Sequence, residues 1–434
     1  MLDMNFIRGN EELMRNTAKW KNADFPLDEL LEWDDKRREL RQETEGLRAE
    51  RNALTKEVER LLRAGEKDAG EEAKARVRET GRRLDALEPA LAEAERRCAE
   101  LLLLAPNPVS ADTPIGASDR DNVELRRCGT PAALGFAPRD HVALGELHGI
   151  LDIPRGVKAG GPRSYVLKGT GLRLHLAVQQ LALDVLESRG FTLMDVPVIV
   201  KPEALERTGF FPAGKDQTYE LAGENRWLAG TSEVSLVSLY SDEVVEVDEP
   251  LRLAGMSACF RSEVGSAGRD VRGLYRVHQF SKIEQVVICC GDAAVSERML
   301  QEILGNAEHI LQLLELPYRV VAVCSGDMSL KTHKQYDIET WMPSRGAYGE
   351  THSASNLLDY QARRSHIRHR GEDGRLQYCH TLNNTAVATP RILIPLLENH
   401  QREDGSVYIP QALRKYMNGL ESLEVCGPAV SVEE

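Results

Sequence analysis

The stretch FRSEVGSAGRDVRGLYRVHQFSKIEQ, residues 260–285, gathers Arg261, Arg269, Arg272, Arg276 and Lys282 with Glu263, Asp270 and Glu284 among alternating apolar residues. Its glycine-rich, basic centre predicts a mobile loop joining two antiparallel strands. On the second strand, Arg276, His278, Phe280, Lys282 and Glu284 share one face, and Tyr275, Val277, Ile283 and Val287 share the other. Arg261 and Glu263 likewise share a face of the neighbouring strand. The eight residues from Arg276 to Glu284 span about 26 Å at roughly 3.3 Å each, enough to line a site from a phosphate to a second ligand. Arginine forks suit phosphate oxygens, an aromatic ring stacks on a base, and a carboxylate accepts from an ammonium or hydroxyl. A solvated sheet face with cross-strand ion pairs gives the same alternation, so spacing alone leaves both readings open.

Outward from this stretch, residues 115–425 mix short strand-like runs (TLMDVPVIV, KIEQVVICC) with helical ones (HLAVQQLALDVLESRG, AVSERMLQEILGNAEHILQLLE). That pattern predicts an α+β domain built on a substantial antiparallel sheet. Residues 27–104 differ. Leu30, Trp33, Arg37, Leu40, Thr44, Leu47, Arg51, Leu54, Val58 and Leu61 step by three and four, a heptad seam interrupted by two arginines. The segment RAGEKDAGEE (63–72) supplies two glycines for a turn. A second seam follows through Val77, Thr80, Leu84, Leu87, Leu91, Ala94, Cys98 and Leu101. The expectation is an antiparallel helical hairpin projecting about 50 Å at 1.5 Å per residue. Pro89 is expected to bend its helix without breaking it. APNPVSADTP (105–114) reads as a linker, and 426–434 as a frayed tail.

The 434 residues carry a formal charge of -13, which excludes a general basic coat for nucleic acid but leaves room for a local basic surface. None of the eight cysteines forms a C-x-x-C pair, and none sits at zinc-finger spacing, so reduced thiols in a cytoplasmic protein are expected. The early acids of MLDMNFIRGNEELM argue against a signal peptide, and no run of about 18 apolar residues offers a membrane span.

These residues, in this order, resemble the seryl-tRNA synthetases. Residues 260–285 look like motif 2 of the class II aminoacyl-tRNA synthetases. TLNNTAVATPRILIPLLENHQREDGSVYIPQAL (381–413) looks like motif 3, and HLAVQQLALDVLESRGFTLMDVPVIVKP (175–202) like motif 1, with Pro197 as its proline. GTSEV (230–234) and ETHSASN (350–356) match the serine-site and ATP/metal segments, and the hairpin matches the tRNA-binding arm. The resemblance covers nearly the whole chain. It implies a tRNA-binding domain at 1–110, a class II catalytic domain at 115–425, and a two-step reaction in which serine attacks ATP and is then passed to tRNA(Ser), and to tRNA(Sec) where that exists. ATP and Mg²⁺, a homodimer and no membrane come with it.

By the same resemblance, Arg261 holds the α-phosphate and the serine carboxylate, Arg276 reaches the β/γ-phosphates, and Glu263 meets the adenine amino group. Phe280 stacks on adenine with Arg391 on the other side. Arg269 and Arg272 meet the tRNA acceptor end. Thr231, Glu233, Glu284, Asn383 and Thr385 form the serine pocket, with Glu233 for the ammonium and Glu284 for the hydroxyl. Glu350 and Ser353 hold Mg²⁺. Val277, Thr351 and His352 complete the ATP segments, although His352 by itself reads as structural. Simpler roles compete at each point. Thr231 and Glu233 suit a helix N-terminus, Glu350 a plain loop, and LNNT a turn. Thr389 is expected to cap the motif 3 helix, with Pro390 at its first position and Arg391 in its first turn. Pro395 then falls inside that helix and should distort it. A ligase for a carrier protein and a catalytically silent tRNA-binding paralogue are the alternatives. The retained arm speaks against the first, and the intact Arg261, Glu284, Glu350 and Arg391 against the second.

Overall fold

The computed structural model describes residues 2–264 and 272–425. The chain divides into two compact units, Met1–Lys19 with Ala23–Pro106, and Trp20–Asn22 with Asn107–Glu434.

In the first unit, α1 (Leu27–Arg63) and α2 (Lys67–Leu103) are each 37 residues long and pack against one another as a hairpin. The seams are buried at Leu30, Thr44, Leu47, Leu54 and Leu61 on α1 and at Thr80, Leu84, Ala94, Cys98 and Leu101 on α2. The two seam arginines do not enter the core. Arg51 is exposed, and Arg37 turns back to the buried Asp34, which Arg8 also holds at 2.7 Å. Arg41–Glu95, Arg48–Glu88 and Arg97–Glu29 tie the helices along their flanks, in the manner of e/g pairs. Of the two turn glycines only Gly65 turns the chain, at φ +80°; Gly70 lies inside α2 against Leu62. The helix runs unbroken through Pro89.

The second unit is built on one eight-stranded sheet. Its strands are β1 (Val123–Cys128), β2 (Thr192–Asp195), β3 (Leu251–Phe260), β4 (Gln279–Cys289), β5 (Tyr318–Ala322), β6 (Lys334–Met342), β7 (Ala347–Asn356) and β8 (His380–Thr389). They lie in the order β1-β5-β6-β7-β8-β4-β3-β2, antiparallel throughout except for β2 against β3. Helices α3 (Thr170–Ser188), α4 (Glu233–Ser238), α5 (Ala293–Leu313) and α6 (Leu393–Asn399) complete the elements that matter for the site.

Alternation along β4 assigns the two faces of the sheet. Ile283, Val287 and Cys289 join Leu174, Val178 and Leu181 of α3 and Ile303, Ala307 and Ile310 of α5 in the main core. Gln285, on that same side, donates to Ile303 O. Phe280, Lys282 and Glu284 face the opposite side, into a cleft.

The segment read as a linker is not free from Asn107 onward. Asn107 is buried and donates through Nδ2 to Lys331 O and Leu357 O, and Ser110 N bonds His333 O. Among the described residues no helix is long and apolar enough to cross a membrane. Arg269 and the tail 426–434 lie outside the described residues.

Candidate active site

The cleft has a volume of about 340 Å³ and is lined from α4, β4, β6, β7 and β8 and from segments next to them. Strand geometry explains its buried end. Thr385 of β8 sits directly opposite Glu284 of β4, so both side chains project to the same side. Thr385 Oγ1 lies 3.3 Å from Glu284 Oε2. Asn383, two residues earlier on β8, points the same way. The LNNT segment is therefore strand, not turn. Burial raises the Glu284 carboxyl above its usual range, and Lys282 Nζ, 2.6 Å away, pulls it back.

Glu233 comes from the first turn of α4. Its backbone N–H donates to Thr231 Oγ1 at 3.2 Å, so the helix-start role and a site role coexist, although Ser232, not Thr231, holds the cap position. The Glu233 carboxylate is buried and accepts from Lys331 Nζ at 2.6 Å and Gln361 Nε2 at 2.7 Å.

The more exposed end holds the arginines. Arg261 follows β3 directly. Its backbone N–H bonds His278 O at 3.0 Å, while its guanidinium lies 5.2 Å from the Phe280 ring and donates to Gly230 O at 3.4 Å. Glu263 has left the strand, with φ +52°, and meets Arg276 at 3.4 Å.

Strand β4 starts only at Gln279, so Arg276 and His278 are not on it. In the irregular segment before it, Leu274, Tyr275, Arg276 and Val277 all border the cleft, against strict alternation. His278 leaves the cleft and bonds Arg261 O. Tyr275, expected to face away, instead supports Arg391, whose guanidinium lies 4.5 Å from its ring. Arg272 reaches Asp140 at 3.5 Å.

Motif 3 also differs in its local start. Thr389 ends β8, Pro390 and Arg391 form a turn, and α6 begins at Leu393 with Ile392 as cap. Pro395 then falls in the first turn, where a backbone N–H has no helical partner to lose, so it fits without breaking the helix.

Glu350 and Ser353 lie on strand β7, not in a loop. A spacing of three on a regular strand points side chains to opposite faces. Here the β6–β7 register shifts by one residue at Thr351: Ser353 pairs with Asp337, and Glu350 with Glu339. That bulge returns Glu350 to the face of Ser353. Arg391 stands 3.7 Å from Glu350 and donates to its backbone carbonyl. Below them Gln335 Nε2 donates at 3.0 Å to both Ser353 Oγ and Asp337 Oδ1. Burial, reinforced by Glu350, holds the Asp337 carboxyl well above its usual range.

His352 points to the helix side of the sheet. It is fully buried, with Nδ1 2.8 Å from Thr351 Oγ1 and Nε2 donating to Ala386 O. Its imidazole does not border the cleft, in line with a structural role. Burial lowers its pKa to about 4. The unfolded chain takes up this proton near pH 6.5 and the folded one only near 4, so stability rises with pH across that window. Between pH 6.5 and 5 the wild type should lose about 2 kcal/mol through this group. Denaturant melts of wild type and His352→Gln at both pH values read that difference.

Lys282, Lys331, Gln335, Asp337 and Gln361 were not predicted as site residues. Lys282 was visible by alternation with Glu284, but Lys331 and Gln361 enter from distant segments with no local pattern.

An antiparallel sheet with an aromatic ring and carboxylates on its strands and arginines on the segments beside them is the catalytic core of a class II aminoacyl-tRNA synthetase, and residues 218–400 match the tRNA synthetase class II core domain (G, H, P, S and T). Residues 1–109 match the seryl-tRNA synthetase N-terminal domain. The serine–tRNA ligase of Deinococcus radiodurans is 47% identical over 432 residues, covering 98% of this chain and 99% of that protein. That of Rubrobacter xylanophilus is 43% identical over 435 residues, covering 99% and 100%. The crystal structure of seryl-tRNA synthetase from Pyrococcus horikoshii complexed with ATP superposes with a TM-score of 0.91 at 36% identity, covering 98% of this chain and 100% of that one. The chain belongs to the seryl-tRNA synthetase family.

Proposed function

We propose that the cleft activates serine with ATP and that its two ends divide the labour, serine at the buried end and nucleotide at the exposed end. The enzyme is a class II serine–tRNA ligase. The observation that carries the division is the pairing of Thr385 with Glu284 beside Glu233, all buried, in one cleft with the less buried Arg261, Arg276 and Arg391.

Glu233 takes the serine ammonium and Glu284 the hydroxyl, with Thr231, Asn383 and Thr385 completing the pocket. Alanine brings the ammonium but no hydroxyl, so it would leave the buried Glu284 without its partner, which is how such a pocket rejects it. A carboxylate oxygen of serine attacks the α-phosphorus, the bond to the bridging oxygen breaks, and pyrophosphate leaves. Arg261 spans the carboxylate and the α-phosphate and stabilises the charge that grows there. Arg276 holds the β/γ-phosphates. Phe280 and Arg391 sandwich the adenine, and Glu263 accepts from its amino group; Val277 and Thr351 border the same subsite. A terminal ribose hydroxyl of tRNA then attacks the serine carbonyl carbon and AMP leaves.

Glu350 and Ser353 fit a magnesium ion. The bulge aims both at one face, and magnesium needs few protein ligands beside phosphate oxygens and water. When bound it neutralises phosphate charge.

The hairpin of residues 27–104, within a tRNA-binding domain of 1–110, reaches tRNA(Ser) away from the acceptor end, and residues 115–425 act as the catalytic domain. An apolar strip of Leu172, Leu176 and Met256 is exposed on α3 and β3, and a second copy of the chain covers it in a homodimer. The unpaired cysteines, seven among the described residues, suit the reducing cytoplasm.

Amino-acid-dependent ATP–pyrophosphate exchange without tRNA tests the reading. Exchange with serine alone is expected. Exchange with another amino acid overturns the roles of Glu284 and Thr385, and no exchange from folded protein favours a silent tRNA-binding paralogue.

A further inference from the structure

We propose that Lys282 and Lys331 are positioning residues of the serine pocket, each occupying one oxygen of a substrate-facing carboxylate so that only the other oxygen remains to read serine. The proposal rests on the assignment of Glu284 to the hydroxyl and Glu233 to the ammonium.

The geometry is the same twice. Lys282 Nζ lies 2.6 Å from Glu284 Oε2, the oxygen that Thr385 also meets at 3.3 Å. Lys331 Nζ lies 2.6 Å from Glu233 Oε1, the oxygen that also accepts from Gln361 at 2.7 Å. Among the described residues, nothing hydrogen-bonds Glu284 Oε1 or Glu233 Oε2. All four charged side chains are at least nine-tenths buried and border the cleft.

Both lysines are themselves fixed. Lys282 sits on β4 two residues from Glu284, on the same face. Lys331 belongs to a loop whose carbonyls are held from two sides: Lys21 donates to Ser329 O and Leu330 O at 3.1 and 3.2 Å, and Asn107 to Lys331 O at 3.0 Å. The Lys331 ammonium also lies 3.7 Å from the Phe210 ring centroid, a further attraction for a cation.

A buried carboxylate is costly unless a cation stands beside it. Each of these two has a lysine ammonium 2.6 Å away. The pairing holds one oxygen of each carboxylate and leaves the other as an acceptor facing the cleft. Two acceptors at fixed positions suit a ligand that brings an ammonium and a hydroxyl. A purely structural ion pair would support the fold without tuning this selectivity.

The full-length enzyme tests this by serine- and alanine-dependent exchange in Lys282→Met and Lys331→Met. The unaltered enzyme is measured first; absence of serine-dependent exchange there defeats the functional reading, separately from this proposal. With exchange present, each variant should raise KM for serine about 30-fold or more, as expected when one partner of a buried pair is removed. KM for ATP should stay within about threefold; in Lys282→Met serine should lose about tenfold of its advantage over alanine, whereas in Lys331→Met, whose carboxylate reads the ammonium both amino acids carry, that advantage should stay. Adding Glu284→Gln to Lys282→Met, or Glu233→Gln to Lys331→Met, should recover several-fold, because no buried charge is then left alone. Unchanged KM for serine, an equal rise for ATP, or losses that simply multiply in the doubles would overturn the proposal. Should Lys282→Met not fold, the K282M/E284Q double is compared with E284Q alone. Equal or better serine exchange in the double supports the proposal, and a further loss overturns it.

Discussion

Arg261→Ala should reduce kcat/KM for serine-dependent ATP–pyrophosphate exchange by about 1,000-fold, at the upper end of what removing one transition-state donor costs. On the proposed reading two anions meet at this guanidinium, the serine carboxylate and the α-phosphate, and during attack charge moves from the carboxylate onto the phosphate oxygens and the departing pyrophosphate. The side chain is poised for this because the protein makes so little use of it. It is exposed, lies over Phe280 and, among the described residues, has a single long hydrogen bond, to Gly230 O. Its backbone, by contrast, is clamped to that of His278. Thermal stability should therefore be almost unchanged, which separates lost catalysis from lost fold. Arg261→Lys should recover little, since a single ammonium cannot bridge two anions as a planar fork does. Exchange within tenfold of wild type in the alanine variant would remove Arg261 from the centre of the mechanism.

Glu350→Gln should lower exchange about 100-fold and raise the magnesium concentration needed for half-maximal rate about tenfold or more, because on the proposed reading a hard cation loses its charged protein ligand. Ser353→Ala should act in the same direction but more weakly, as a neutral ligand is replaced by water. The glutamate also stands 3.7 Å from Arg391, so part of the loss will come from an arginine released from its partner. A magnesium titration distinguishes the two contributions: the metal requirement moves only if the carboxylate binds metal. An unchanged magnesium curve with a lower plateau would leave Glu350 as a partner of Arg391 alone.

How far the site was legible depended on whether each part followed a regular repeat. Phe280, Lys282 and Glu284 follow strand alternation and do share a face. Arg276 and His278 were assigned to that face too, yet they precede the strand, and His278 turns to the Arg261 backbone. Irregular backbone has no period to extrapolate. The motif 3 helix shows the same limit. Its apolar residues were visible, but the turn at Pro390 and Arg391 moves its start to Leu393 and makes Pro395 harmless.

By itself the sequence determined the long hairpin, the α+β catalytic unit, the family and most cleft residues, because heptads, strand alternation and family motifs are local in the chain. Tertiary structure alone decided three things. The extra residue at Thr351 puts Glu350 and Ser353 on one face, though their spacing of three predicts opposite faces. The turn of His352 toward the helices removes it from the ATP segment. The arrival of Lys331 and Gln361 at Glu233, across 98 and 128 residues of chain, completes the buried charges of the pocket. Each depends on register or on long-range closure of the fold. These are set by the burial of whole faces against one another, which no local pattern in the chain encodes.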